Sequence, residues 1–215
     1  MNMMDTIAGS NLENFSPKGW NLQRIDDCCA TPPEKALERQ LHWHKDFIPI
    51  ECEDVASFNV ILGCQIAKEI KIAKEEGRKL ALVLSVGPMG MYKWAVYFLK
   101  DWKIKCDHVY GFNMDEWSNV HGETLPSNDP GAFQNAMEES FYGPLGELTV
   151  PKEQRNFATK NNLPQYPEKI YKIKSEGGKL ITIYGIGRCF HIAFWEPHFA
   201  EDYATVDEWK KQNIE

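Results

Sequence analysis

Two short, nearly continuous apolar runs, Lys79 to Val86 (KLALVLSV) and Lys179 to Tyr184 (KLITIY), constrain this chain more than any other feature. A run too short for a helix, and apolar without alternation, suits a strand buried on both faces, as in a parallel sheet covered by helices. The segment before the first run supplies one such helix. From Asp54 to Gly77 the apolar residues Val55, Phe58, Leu62, Ile66, Ile70 and Ala73 recur every three or four positions, with an aspartate to cap the start and a glycine to stop the end. A second helix, about Met89 to Trp102, leads to a second strand, His108 to Asn113. Helix and strand therefore alternate, which points to the α/β class.

The remaining elements fit the same alternation. Ser118 to Pro130 is rich in Ser, Asn, Gly, Pro and Asp and reads as a loop at the carboxyl end of the second strand. A helix is predicted from about Ala132 to Tyr142, a short strand near Asn156 to Ala158, and a helix from about Pro167 to Ser175. Two capping boxes are predicted, at Thr31-Pro32-Pro33-Glu34, opening a helix through about His44, and at Thr205-Val206-Asp207-Glu208. Residues 1–50 read as an N-terminal extension and 51–215 as one α/β domain; a 215-residue chain is long enough for one sizeable core.

Charge narrows the function. With 24 Lys+Arg against 31 Asp+Glu the net charge is −7, so the chain lacks the electrostatic footprint of a nucleic-acid or anionic-membrane binder, and any phosphate must be held locally. No signal-like start and no long apolar span occur, so a cytoplasmic location is expected. The six cysteines, Cys28, Cys29, Cys52, Cys64, Cys106 and Cys189, form no CxxC pair and read as free thiols, with no metal site expected.

In open α/β sheets ligands sit beyond the carboxyl ends of the strands. Three segments have that address: Ser85-Val86-Gly87-Pro88, Asn113-Met114-Asp115-Glu116 and Gly185-Ile186-Gly187-Arg188. The second brings two adjacent carboxylates to a strand exit, where one can serve as a general base; the structural alternative has Asp115 capping a turn or helix and Glu116 facing water. The third runs on to His191 and Glu196, a pair able to move protons with the carboxylate fixing the imidazole tautomer; a core histidine is the alternative.

Gly185-Ile186-Gly187 through His191-Ile192-Ala193-Phe194 to Glu196-Pro197 resembles the GxGxDGHIAFNEP signature of glucosamine-6-phosphate deaminases, and Phe112-Asn113-Met114-Asp115-Glu116 resembles their FNMDE segment. Gly90-Met91-Tyr92-Lys93 is similar to the GMYK stretch after their phosphate loop, so the resemblance covers about Asp54 to Pro197. It implies a doubly wound, mostly parallel sheet with helices on both faces. It also implies conversion of glucosamine 6-phosphate and water to fructose 6-phosphate and ammonia, without metal or organic cofactor. Asp115 would move the proton between C2 and C1, and His191 with Glu196 would open the ring. Glu116 would complete the catalytic set, and Gly87, Met89, Gly187 and Arg188 would contact the substrate. The expected partner is a phosphorylated hexose or amino sugar, with self-association as a way to cover a sheet edge.

The chain also departs from the pattern. Cys189-Phe190 replaces Asp-Gly before the histidine, Trp195 replaces an asparagine, and the Gly-Ser-Thr-Pro loop is shortened to Gly87-Pro88. Arg188 is a guanidinium fork for phosphate, or else a solvated loop arginine. Family chains continue beyond Glu-Pro, so this chain reads as a fragment or a short form. The alternatives to a deaminase are a non-catalytic sugar-phosphate binding or regulatory protein and a 6-phosphogluconolactonase-like hydrolase.

Overall fold

The computed structural model describes residues 30–41, 43–87, 89–187, 191–192 and 203–209, with 23, 26 and 27. The chain divides into two compact units, Cys52–Gly185 and the two ends, Met1–Glu51 with Ile186–Glu215.

The larger unit opens with α1, Val55–Glu75, whose N-cap Asp54 accepts the Ser57 N–H at 2.7 Å. That hydrogen bond holds the Asp54 carboxyl below its ordinary range. Gly63 lies in the buried stripe of α1, where a Cβ would come within 2.5 Å of the Met91 carbonyl oxygen, so its lack of a side chain lets α1 pack closely on α2, Gly90–Asp101. After α1 the chain turns at Gly77, with φ +64°, and the Arg78 N–H closes onto the Ala73 carbonyl, a Schellman stop that delivers the chain into β1.

Four strands, β1 (Leu80–Leu84), β2 (Val109–Asn113), β3 (Arg155–Asn156) and β4 (Lys179–Thr182), form a parallel sheet in the order β3-β2-β1-β4. Alternation along β1 divides the core. Leu80, Leu82 and Leu84 pack with Ile66 and Ile70 of α1 and Met91, Tyr92 and Leu99 of α2. Ala81 and Val83 pack on the opposite side with Phe112, Tyr166 and Ile173, the last two from α4, Tyr166–Ser175. Helices thus cover both faces, and β1 is apolar throughout because neither of its faces meets water.

The predicted helix at 132–142 is not uniform. It begins as α3, Phe133–Met137, and widens into a π turn over Glu138–Tyr142, where the Gly143 N–H bonds to the Glu138 carbonyl. The wider turn keeps Met137, Phe141 and Tyr142 all in the core, while Glu138 pairs with Arg155 at 2.7 Å.

In the unit of the two ends, Thr205 and Glu208 form the predicted capping box, with reciprocal bonds of 3.1 and 3.2 Å at the turn Val206–Trp209. The other box does not form. The Thr31 hydroxyl donates to the Asp27 carbonyl, and helix is confined to Pro33–Ala36. The residues after it are mostly exposed, and Arg39 donates to the carbonyls of His44 and Phe47, folding the chain back where a longer helix would have had no apolar face to bury.

Candidate functional site at the strand carboxyl ends

From β1 the chain adds β2 and then β3 on one side, and later β4 on the other. The direction of sheet growth reverses at β1, and such a reversal opens a crevice between the neighbouring strand ends. The segments Ser85–Gly87 and Ile183–Gly185 leave the sheet there, beside Asn113–Glu116 from β2.

Tyr92, on the first turns of α2, donates its hydroxyl to the Ser85 carbonyl at 2.6 Å and so fixes the backbone leaving β1. Burial, with Tyr142 and Asp115 adding to it, pushes the Tyr92 hydroxyl far above its ordinary range, so it remains a donor. Gly87 is exposed, and its carbonyl accepts the N–H of half-buried Met89, the residue that caps α2. The hydroxyl of Ser85 and both amide atoms of Asn113 are buried and find no hydrogen-bond partner among the described residues. Buried polar groups are normally paired, so these two mark the strand ends as a polar floor.

Asp115 is half-buried one residue beyond Met114, whose N–H bonds to the Leu84 carbonyl and extends the β1–β2 pairing. Tyr166 braces β2 from the other face, its hydroxyl lying 3.0 Å from the Asn113 carbonyl and 2.8 Å from that of Asn156. Burial first, then Tyr142 and Asp115, raises its hydroxyl well above the ordinary tyrosine range. Glu116, which the structural alternative placed facing water, caps the start of α3. Its Oε1 accepts from Trp117 and Phe133, each at 2.9 Å, and its Oε2 accepts from Gln134 at 2.8 Å.

In the other unit, Ile186 and Ile192 form an antiparallel bridge, and the Gly187 N–H donates to the His191 carbonyl at 3.0 Å. The imidazole of His191 lies against Gly187, in the space a Cβ would occupy. Arg188 and Glu196, together with Pro88, Cys189, Phe190, Trp195 and Pro197, lie outside the described residues.

Among the described residues no group of three or more His, Cys, Asp or Glu side chains is placed to hold a metal ion, and no helix is long and apolar enough to cross a membrane. Cys52, Cys64 and Cys106 are free thiols; burial raises Cys106 to about 12 and leaves it unreactive. A cleft of about 230 Å³ lies on the α4 face, lined by residues including Lys79, Tyr110, Phe112, Lys169 and Glu176 rather than by Ser85, Asn113 or Asp115.

No family model matches the chain. It is 32% identical over 148 residues to the glucosamine-6-phosphate deaminase of Borrelia garinii, a match covering 67% of this chain and 52% of that protein. The deaminases of Caenorhabditis elegans and Fusobacterium nucleatum are 31% and 30% identical, over 61% and 70% of this chain. The solved structure of a monomeric glucosamine-6-phosphate deaminase superposes with a TM-score of 0.54 at 23% identity, covering 69% of this chain and 58% of that one, and shares its fold.

The chain belongs to the glucosamine-6-phosphate deaminase/isomerase family.

It spans about half the length of the curated deaminases it matches. Tyr166, the bond from Tyr92 to Ser85 and the capping role of Glu116 are the features of this family member that the sequence pattern does not single out. Tyr92 was in view within Gly90-Met91-Tyr92-Lys93, but nothing local says that its hydroxyl reaches back to Ser85.

Proposed function

We propose that the chain acts on a phosphorylated hexose, glucosamine 6-phosphate first, releasing ammonia and fructose 6-phosphate. Asp115 takes the proton from C2 of the open-chain sugar and returns it to C1, a transfer that needs one positioned carboxylate. Water then hydrolyses the imine left at C2. His191, assisted by Glu196, moves the proton that opens the ring. Gly87, Met89, Gly187 and Arg188 form the contacts to the phosphate and sugar, and the Ser85 hydroxyl and the Asn113 amide are further polar groups at the ends of β1 and β2.

The observation that carries this reading is the placement of Asp115, half-buried at the exit of β2 and braced through Tyr166 and the β1–β2 pairing, in a chain related to deaminases. Cys189-Phe190 and Trp195 favour a second reading, a sugar-phosphate binding protein without turnover. Residues 1–50 serve in either case as an extension to the α/β domain.

Proton NMR of the folded chain with glucosamine 6-phosphate in D₂O tests both readings. Loss of the C2–H signal together with fructose 6-phosphate and ammonia is expected. Saturable ligand shifts with no exchange would leave the binding protein and remove the deaminase.

A further inference from the structure

Both oxygens of the Glu116 carboxylate are engaged by backbone donors, and those donors lie on both sides of a long loop. Trp117 is its neighbour, whereas Phe133 and Gln134 lie 17 and 18 residues along the chain, at the start of α3. The side chain therefore closes the neck of the loop 117–132. The rings of Trp117 and Phe133, 5.5 Å apart, close the same neck. Beyond it the loop is internally bonded: Ser118 bridges Thr124, and the Asn119 side-chain oxygen accepts the N–H groups of His121 and Glu123 at 2.9 and 3.0 Å. Lys160 donates to the His121 carbonyl at 2.7 Å from outside. A loop with adjoining ends, filled by its own contacts, is an Ω-loop, and such loops keep a fixed shape while their necks hold.

We infer that Glu116 is a positioning residue, the clasp that fixes the exit of β2 and thereby the direction of the Asp115 carboxylate. Asp115 and Glu116 are consecutive. With the Glu116 carboxylate anchored at α3 and the Asn113 carbonyl anchored by Tyr166, the backbone carrying Asp115 is held on both sides. The two carboxylates divide the work. One faces the chemistry, and the other is occupied in the frame. The kinetic consequence rests on the proposed role of Asp115, whereas the structural one does not.

Amide hydrogen exchange on the full chain separates the two. In Glu116→Ala the Phe133 and Gln134 amides should exchange at least about tenfold faster, while those of β1 and β2 keep their rates. Glu116→Gln, which retains one oxygen, should restore protection at Trp117 and Phe133 but not at Gln134. If C2–H exchange is present in the wild type, kcat should fall with the loss of protection while KM stays nearly constant, and the glutamine variant should recover part of it. Unchanged protection in the alanine variant overturns the inference, and so does a glutamine variant that loses turnover with full protection, because Glu116 would then act on the substrate itself. Should Glu116→Ala fail to melt cooperatively, Phe133→Pro against Phe133→Ala removes the same N–H from the other side. Proline suits the first helical position, and Ala132 already has the extended conformation that precedes it. Faster exchange at Gln134 in the proline variant alone supports the clasp; equal exchange in both overturns it.

Discussion

Replacing Asp115 by asparagine keeps the size of the side chain and removes its capacity as a base. Asp115→Asn should abolish C2 proton exchange, read by NMR in D₂O, while the melting temperature and ligand-induced shifts stay close to wild type. Exchange at the wild-type rate would take Asp115 out of the mechanism. Gly187 admits a different test, because its missing Cβ is where the His191 ring lies. Gly187→Ala should shift the His191 ring resonances and reduce turnover with little change in stability; unmoved resonances would show that the ring does not depend on that space. At this scale the sequence was partly legible. Asp115 and His191 stand out as chemistry-bearing types at strand exits, but the role of Glu116 does not, because capping patterns look three residues ahead and its helical partner is 17 residues away. Proximity across a loop leaves no periodic trace.

Among the elements, those with their own buried stripe were legible and those shaped by neighbours were not. The periodicity of 54–77 and the apolar run of 79–86 yielded α1 and β1 within a residue or two, since the residues that fix each element are the ones it buries. The widening at Glu138–Tyr142 occurs where Arg155 reaches Glu138 from β3, a tertiary contact that no local pattern contains. The helix expected through His44 lacked an apolar face to bury, so its capping signal had nothing to propagate. The Tyr92 hydroxyl gives a prediction at this level. Tyr92→Phe leaves the buried ring in place, removes the donor to the Ser85 carbonyl, and should lower stability by about 1–3 kcal/mol in denaturant melts, the penalty for an unpaired buried acceptor. No change in the midpoint would mean that water replaces the hydroxyl.

For the whole molecule, pH dependence of stability follows from His108. Its Nε2 lies 2.9 Å from the Ile70 carbonyl, and burial, the largest influence, holds its pKa below the ordinary 6.5, with Lys74 acting in the same direction and Asp107 opposing. The folded state therefore resists a proton that the unfolded chain accepts. This contribution is fully present above about pH 6.5 and is lost as pH falls below it toward the folded value, at no more than about 1.4 kcal/mol per pH unit. Denaturant titrations at pH 7.5, 6.5 and 5.5 should show stability declining below 6.5, and His108→Phe should flatten that limb; parallel curves would assign the decline to other groups.

The strand order has a consequence for synthesis. β1 sits between β2 and β4, and its two neighbours are made at very different times. From Leu80 to Lys179 the ribosome adds 179 − 80 = 99 residues, about 5–20 s at ordinary elongation rates. During that interval β1 can pair only with β2, and the backbone groups it will share with β4 stay open while the apolar surface around Leu82 and Val83 waits for Ile181 and Thr182. The nascent chain thus carries an unfinished sheet until almost all of the α/β core has been translated, and a growing polypeptide of this topology has most to gain from a chaperone in that window.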